Sequence, residues 1–263
     1  MVCANSKSLP QALIRSDFVI LLLVTIAIFS HSSAVLSQES LHVYGPGGPY
    51  APMNECAEAF SKAHGVKVKV TAGPESNWIA QAKQDADMIF GGAEYMLTQF
   101  TEKHHDLIDE ATRTSLYIRA AGILVRKGNP KRIRSLTDLT KSGIRLLDVN
   151  GAGQLGLWED MAGRHGLIPG IQRNIAVSVA TSAEAIEKWK TSPWLDAWIT
   201  FESWYYRLND LTDLVRLPEK EKLYRGTPIA LTKISKNKTA ARQFIEFLKS
   251  ESCHALFQKW GWR

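Results

Sequence analysis

The sequence has little of what most directly identifies a protein class. Its 263 residues include three cysteines, no run of five or more lysines and arginines, and no apolar stretch that reaches the ~20 residues of a membrane-spanning helix. The motifs of P-loop nucleotide binding, zinc proteases, serine hydrolases and dithiol redox enzymes are all missing. These absences leave nucleic-acid binding and enzymatic activity without support.

What is present is an ordinary globular composition. Hydrophobic residues make up 45% of the chain and charged residues 22%, and the net charge of +6 is modest. Such values are typical of a folded protein of one large domain or two lobes rather than of a disordered one. The small positive surplus favours anionic partners without identifying nucleic acid as one of them.

The amino-terminal segment has the pattern of a secretory signal peptide. The apolar stretch at residues 18–29 carries no charge, follows the basic Arg15, and precedes the small residues SHSSAVLSQ. Cleavage after Ala34 or after Ser37 fits this pattern. We therefore predict a signal peptide over residues 1–37 and export to the periplasm. The alternative is an uncleaved membrane anchor.

Removal of that segment would leave two of the three cysteines, Cys56 and Cys253. In an oxidising compartment these two residues are able to form a disulfide. The alternative is that both are buried thiols that behave as small apolar side chains. The sequence alone favours neither interpretation.

After the amino-terminal segment, short strands alternate with helices. The stretch VKVKV alternates strictly, as expected for a strand with one polar face. Ala57, Phe60 and Ala63 recur at helical spacing. A second α/β segment of similar size begins with the apolar stretch LYIRAAGILVRKG. Strands that alternate with helices predict parallel βαβ units, and therefore an α/β fold.

Glycine- or serine-rich turns join the end of a strand to the start of a helix at four places. These are residues 47–48, 76–77, 151–156 and 181–182. In an open α/β sheet this is where ligands bind, and the free N–H groups and positive dipole of a helix N-terminus favour anions. Two turns fall in each α/β segment. The simplest arrangement that uses all four is a pair of lobes that face one anion across a cleft.

One of these turns, Gly151-x-Gly153-x-x-Gly156, has the spacing of the dinucleotide-binding fingerprint. That fingerprint also needs an acidic residue ~20 positions later, at the end of the next strand. The corresponding residues 171–182 contain neither aspartate nor glutamate. We therefore interpret the turn as an anion-binding turn, and we predict neither NAD nor any other cofactor.

Several charged residues have two interpretations. Arg119 is either a fixed positive charge for a carboxylate, sulfate or phosphate, or a structural ion pair or exposed strand residue; we favour ligand contact. Glu159 and Asp160 are placed to complement a helix dipole rather than to form a catalytic pair. His104 and His105 are expected on the solvated surface, because adjacent histidines alone do not make a metal site. We predict no catalytic residue and no metal site.

Seven stretches, spread in order over nearly all of the chain after residue 37, resemble one known family. They are VYGPGGPY (43–50), AGPESNW (72–78), DADMIFGGAEY (85–95), LYIRAAGILVRKGNP (116–130), GAGQLGLWEDMAGR (151–164), DAWITFESW (196–204) and FIEFLKSESCHALFQKWGW (244–262). Together they resemble periplasmic solute-binding proteins of the molybdate- and sulfate-binding type, in particular the accessory colonisation factor family and its Campylobacter surface-antigen relatives. One segment departs from the molybdate binders, which place a tyrosine where DAWITF has Phe201. The ligand is therefore not carried over from that group.

The resemblance implies a two-lobed periplasmic-binding-protein fold of type 2. Lobe one would comprise residues 38–120 plus 222–263, and lobe two residues 121–221, with crossing hinge strands near 117–123 and 214–227. The lobes would close over a solute and pass it to an ABC permease in the inner membrane. The alternative is a surface, colonisation or chemoreception factor that uses the same fold without transport.

The resemblance also implies the ligand class and the site. The ligand would be a small anion: an oxyanion, a phosphorylated metabolite or a carboxylate. The residues that it places in the cleft are Gly47, Gly48, Glu75, Ser76, Asn77, Arg119, Gly153, Gln154, Leu155, Thr181 and Ser182. Glu202 is a further candidate, either in the cleft or as the support of a loop.

Overall fold

The computed structural model describes residues 40–263 of the chain. The predicted signal peptide falls outside these residues. Within them the α/β prediction is confirmed, because strands and helices alternate along the chain and the strands form two separate sheets. No helix among residues 40–263 is long and apolar enough to cross a membrane.

The first sheet has five strands, three of which are parallel neighbours. Their spatial order is β2 (Lys67–Ala72), β1 (Ser40–Gly45), β3 (Met88–Phe90), β11 (Pro228–Leu231) and β4 (Thr114–Ser115). β1 pairs in parallel with both β2 and β3, so the carboxyl ends of these three strands meet at one edge of the sheet. In β2, Lys67 and Lys69 are exposed while Val70 is buried, as the alternating sequence predicts.

The second sheet combines parallel and antiparallel strands. Its order is β10 (Tyr224–Arg225), β5 (Arg119–Arg126), β8 (Ala197–Phe201), β6 (Leu146–Val149) and β7 (Ile175–Val179), and β9 (Thr212–Val215) also pairs with β5. β6 is parallel to β7 and β8, whereas β5 runs antiparallel to β8 with Ala121 opposite Phe201. The first residue of β5, Arg119, therefore lies beside the carboxyl ends of the parallel strands.

Helices cover both sheets. They are α1 (Tyr50–His64), α2 (Ile79–Asp85), α3 (Glu94–Lys103), α4 (Leu157–Gly163), α5 (Ile168–Asn174), α6 (Ser182–Thr191), α7 (Tyr205–Leu208), α8 (Lys238–Leu248) and α9 (Glu251–Lys259). Phe60 and Phe244 belong to one fully buried cluster against the first sheet, and Trp189 to another against the second. Each sheet therefore has its own hydrophobic core.

Two backbone pairings hold the start of β5, and a disulfide links helix α1 to helix α9. β5 and β10 pair with each other, with Arg119 opposite Arg225, and a bridge from Trp262 brings the carboxyl terminus to the same point. Cys56 of α1 and Cys253 of α9 form a disulfide, and their Cα atoms are 5.6 Å apart. The start of β5 is therefore held by the crossing strand and by the last residues of the chain.

Candidate functional site

A cavity of about 350 Å³ lies at the carboxyl ends of three parallel strands of the first sheet and three parallel strands of the second. Its wall includes residues 46–48 after β1, 73–75 after β2, 91–92 after β3, 152–153 after β6, 180–183 after β7, and 204 and 207 after β8. Arg119, at the start of the antiparallel β5, also reaches this wall. This is the position at which α/β sheets bind ligands, and it brings together residues from three of the four turns that the sequence singled out, together with Glu75 beside the fourth.

Arg119 is one of two arginines in this wall; the other, Arg207, donates from Nη1 to the carbonyl of Gly47. The side chain of Arg119 is 98% buried, since only 2% of the residue is exposed. Nη2 donates a 2.6 Å hydrogen bond to the carbonyl of Gly92, and the guanidinium carbon lies 3.9 Å from the ring centroid of Phe201. Nε has no hydrogen-bond partner, and no carboxylate among residues 40–263 forms an ion pair with this arginine. Both structural alternatives for Arg119, an ion pair and an exposed strand position, are therefore wrong.

A second arginine on the same strand shows what a purely structural guanidinium looks like here. Arg126, at the other end of β5, donates from Nε to Leu195, from Nη1 to Trp189 and from Nη2 to Ser192, all backbone carbonyls at 2.5–2.7 Å. Three acceptors therefore satisfy Arg126 from within the protein. Arg119 has one such acceptor, which leaves its remaining donor capacity for another group.

Three glycines make room for the Arg119 guanidinium. A Cβ atom on Gly48 would lie 2.6 Å from Nη1, and one on Gly153 would lie 2.8 Å from Nη2; on Gly92 the distance would be 3.4 Å. The absence of side chains at these positions lets two glycine turns of one lobe and one of the other converge on the cation. The backbone N–H groups of Gly47, Gly48 and Gly92 have no acceptor among the described residues, so they are free to face an anion.

Burial changes the acid–base behaviour of this cation. Loss of solvent, and to a smaller degree the charge of Arg225, lowers the pKa of Arg119 to about 9, partly opposed by Tyr95. Removing a charged group from water without a counter-charge is unfavourable. A bound anion would relieve that cost directly.

The turn that resembles a dinucleotide fingerprint has a local packing reason for its first glycine. A Cβ atom on Gly151 would lie 2.5 Å from the carbonyl oxygen of Ala180, so the turn packs directly against the end of β7. Gln154 follows in the turn and is buried; its Nε2 donates to Ser182 at 2.9 Å. Thr181 caps α6 by accepting a hydrogen bond from the N–H of Glu184. The glycines therefore bring two lobe-two turns together.

Tyr95 connects the two lobes across the cavity. It lies on α3, beside the first sheet, and its hydroxyl donates to the carbonyl of Ala152 and accepts from the N–H of Leu155 at 3.1 Å. Burial raises the pKa of Tyr95, so the hydroxyl keeps its proton and remains a donor. Tyr95 was not among the predicted site residues, because a tyrosine on a helix surface carries no signal of its own in the sequence.

The acidic residue of the wall, Glu75, is paired with two neighbouring basic side chains. Burial alone would raise the pKa of Glu75. Hydrogen bonds from His104 and Lys103 outweigh this effect and hold the pKa below its ordinary value. The distances are 3.0 Å to His104 and 2.7 Å to Lys103. The prediction that His104 is solvated is therefore wrong, because its side chain packs on Phe100 as well as on Glu75, whereas His105 is exposed as expected.

Several predicted site residues do not line the cavity. Ser76, Asn77 and Leu155 are exposed at the surface, and Gln154 is buried outside the wall with its amide nitrogen bonded to Ser182. Glu202 is buried, but its carboxylate lies 3.1 Å from Nζ of Lys222, which corresponds to the supporting role that was the alternative for it. Of the predicted set, the structure brings Gly47, Gly48, Glu75, Arg119, Gly153, Thr181 and Ser182 to the cavity.

Much of the remaining wall is apolar. Trp78, Leu97 and Phe100 contribute from the first lobe, and Ile186 and Trp204 from the second. Trp78 and Phe100 have ring centroids 5.7 Å apart. The position of Trp204, three residues after the end of β8, was a sequence signal for a wall residue, although a tryptophan belongs more often to a hydrophobic core than to a binding site.

Other charged groups form no second site. Asp160 lies 3.3 Å from Nη2 of Arg225, and Glu159 is in the first turn of α4, where acids complement the helix dipole as predicted. No group of three or more histidine, cysteine, aspartate or glutamate side chains in the described part of the chain is arranged to hold a metal ion.

Comparison with known proteins agrees with this architecture. A family model described as bacterial extracellular solute-binding protein matches residues 41–263. Peb3 from Campylobacter jejuni is similar: its structure with bound L-phospholactate has 31% sequence identity and a TM-score of 0.79, over 85% of this chain and 99% of that chain. No curated protein sequence matches this chain significantly.

More distant structures share the fold. The periplasmic molybdate-binding protein of Azotobacter vinelandii has 16% identity and a TM-score of 0.66, over 85% of this chain and 98% of that one. The sulfate-binding protein SubI from Mycobacterium tuberculosis has 18% identity and a TM-score of 0.68, over 86% of each chain. The two-lobed periplasmic-binding-protein fold is thereby confirmed.

Proposed function

Since the chain belongs to the bacterial extracellular solute-binding proteins, we propose that it captures a small anion between its two lobes in the periplasm and delivers it to an ABC importer. The proposal places lobe one at residues 38–120 plus 222–263 and lobe two at residues 121–221. The paired strands β5 and β10 would form the hinge. Peb3, which is similar over nearly its full length, binds the anion L-phospholactate.

The observation that carries the proposal is the buried and unpaired Arg119. A cation with no counter-charge among residues 40–263, at the wall of a cavity and with an orphaned Nε, is the arrangement expected when the counter-charge is the ligand. The planar guanidinium is suited to carboxylate, sulfate and phosphate oxygens. Lys103 offsets the negative charge of Glu75, so this carboxylate does not oppose an anion there.

Capture would combine this cation with main-chain donors. Gly48 and Gly92 lie against the guanidinium and their N–H groups have no acceptor among the described residues, and the first turn of α6 adds the positive end of a helix dipole. The hydrogen bonds of Tyr95 to the opposite lobe would hold the closed state. Closure removes water, and the lower dielectric strengthens each polar contact.

A binding screen tests capture. The mature protein would be tested against sulfate, phosphate, molybdate, lactate and phosphoglycerate by thermal shift, followed by calorimetry of each stabilising anion. We expect at least one anion to stabilise the protein and Arg119→Met to abolish that effect. Absence of stabilisation by every anion would contradict the proposal.

Transport is tested separately in cells. Deletion of the gene should abolish uptake of the radiolabelled ligand found in the screen, and re-expression of the wild-type chain should restore it. Undiminished uptake with full in vitro binding would instead favour a surface, colonisation or chemoreception role for the same fold.

A further inference from the structure

The cavity is larger than an inorganic anion needs. Four oxygens, each with roughly the 30 Å³ share that a water molecule has in the liquid, fill on the order of 120 Å³. The cavity measures about 350 Å³, which is within the usual range for organic ligands. A sulfate or phosphate at Arg119 would therefore occupy only part of it.

The part of the wall away from Arg119 offers apolar surface. Trp78, Leu97 and Phe100 belong to one buried apolar cluster of the first lobe. Ile186 packs against the core of the second lobe, and Trp204 belongs to that core. All five also line the cavity, so apolar side chains of both lobes would contact the body of a bound molecule.

Several polar side chains of this wall take part in internal hydrogen bonds. Nε1 of Trp78 donates to the carbonyl of Gly73 at 3.2 Å, and Oγ of Ser182 accepts from Gln154 at 2.9 Å. Oγ1 of Thr181 accepts the capping bond of α6. Nε1 of Trp204 has no hydrogen-bond partner among the described residues, so this donor and the hydroxyl protons of Thr181 and Ser182 are the few neutral side-chain donors left for a ligand.

We propose that the ligand is an amphipathic organic anion. Its carboxylate or phosphate head group would meet Arg119, and an apolar body of up to the size of a phenyl ring would lie against Trp78, Phe100 and Ile186. This inference rests on the proposed capture of an anion and specifies the class of molecule captured.

Matched ligand pairs test the apolar body at a constant head group. The first pair is lactate and 3-phenyllactate; the second is methyl phosphate and phenyl phosphate, which identifies the head group. Affinity is measured by calorimetry with the mature protein. Within the favoured pair, the phenyl compound should bind at least about tenfold more tightly, because each methylene moved out of water contributes roughly fourfold.

Two conservative variants locate the apolar body. Met96→Gln and Ile186→Thr each introduce a polar group at a half-buried wall position without a charge. Each should reduce the preference for the phenyl compound about two- to tenfold, while the affinity for its small partner stays within about twofold. Ile168→Thr makes the same chemical change on α5, at a residue 39% exposed and outside the wall, and should leave both affinities unchanged.

The outcomes separate this inference from the function on which it rests. If lactate, methyl phosphate or an inorganic oxyanion binds as tightly as the phenyl compounds, the amphipathic ligand is wrong and anion capture stands. The same holds if both wall variants keep the wild-type preference. If no anion binds and Arg119→Met changes nothing, both proposals fail.

Discussion

Replacement of Arg119 by methionine separates the contribution of this residue to stability from its contribution to binding. Methionine retains an unbranched side chain that packs beside Phe201, but it removes the buried charge. If the guanidinium is present for the ligand, the ligand-free protein tolerates its loss while anion binding does not. Functional groups that are held at an energetic cost are expected to behave in this way.

The stability change follows from the environment of the guanidinium. Burial holds the pKa of Arg119 at about 9, well below its usual range, which corresponds to on the order of 5 kcal/mol against the charged form. Loss of the hydrogen bond to Gly92 and of the contact with Phe201 offsets about 2–4 kcal/mol of that gain. We therefore expect Arg119→Met to leave the free energy of unfolding unchanged or to raise it by up to about 3 kcal/mol.

The pH dependence of that change has a definite sign. The folded-state pKa of Arg119 is lower than its unfolded value, so the penalty on the folded state is complete below pH ~9 and is relieved as the pH rises from there. The stability difference between the variant and the wild type should be constant near neutral pH and become smaller above pH ~9.

Binding should respond in the opposite direction. Truncation of one partner of a buried charge pair costs about 2–5 kcal/mol, which is roughly a 30-fold to several-thousandfold loss of affinity. Arg126→Met is the matched control on the same strand: it removes three backbone contacts and should lower stability while leaving affinity within about threefold. Urea unfolding and calorimetry with the tightest anion measure both quantities. Wild-type affinity in Arg119→Met, or a loss of more than about 2 kcal/mol of its stability, would refute the reasoning.

Three further predictions concern the frame around the site. Joint replacement of Cys56 and Cys253 by alanine should lower the free energy of unfolding by ~2–5 kcal/mol, because the bond closes a segment of 197 residues; dithiothreitol should reproduce this in the wild type, and unchanged urea curves would indicate free thiols. Tyr95→Phe removes two contacts between the lobes and should weaken anion affinity about tenfold by calorimetry; unaltered affinity would show that closure does not use them. Burial raises the pKa of Asp148, so Asp148→Asn should raise stability at pH 7, with the gain disappearing in acid as the wild-type carboxyl is protonated; a thermal melt that shows a loss at pH 7 contradicts this.

The fold was predictable because its signals are local. The alternation of polar and apolar residues in β2 and the helical spacing of apolar residues in α1 depend only on neighbours in sequence. The parallel topology follows from the alternation of strands and helices along the chain. The turns that line the cavity were predictable for the same reason, since a parallel sheet brings its carboxyl ends together. Gly48 and Gly153 could therefore be placed at a common site before any contact was known.

What the sequence could not show depends on contacts between distant segments. Phe100 reaches the cavity only because α3 packs beside Trp78, and His104 is buried by the same packing. Tyr95 acquires its role from a turn 57 residues later in the chain. Ligand contact was favoured for Arg119 from the sequence, but only the structure shows that no carboxylate among residues 40–263 forms an ion pair with it. Such properties belong to the assembled lobes rather than to a local pattern.

Phe201 links the sequence departure to the chemistry of the site. In the sequence, Phe201 stands where the molybdate binders have a tyrosine, and it therefore lacks the hydroxyl of that tyrosine. In the structure its ring faces the guanidinium of Arg119 at 3.9 Å and is fully buried. An aromatic face stabilises a cation without occupying any of its N–H donors, so the donors of Arg119 remain for the head group of the ligand. If the proposed anion capture is right, a site that holds a cation on a ring and has Trp78 and Ile186 in its wall should select chiefly by charge and apolar shape.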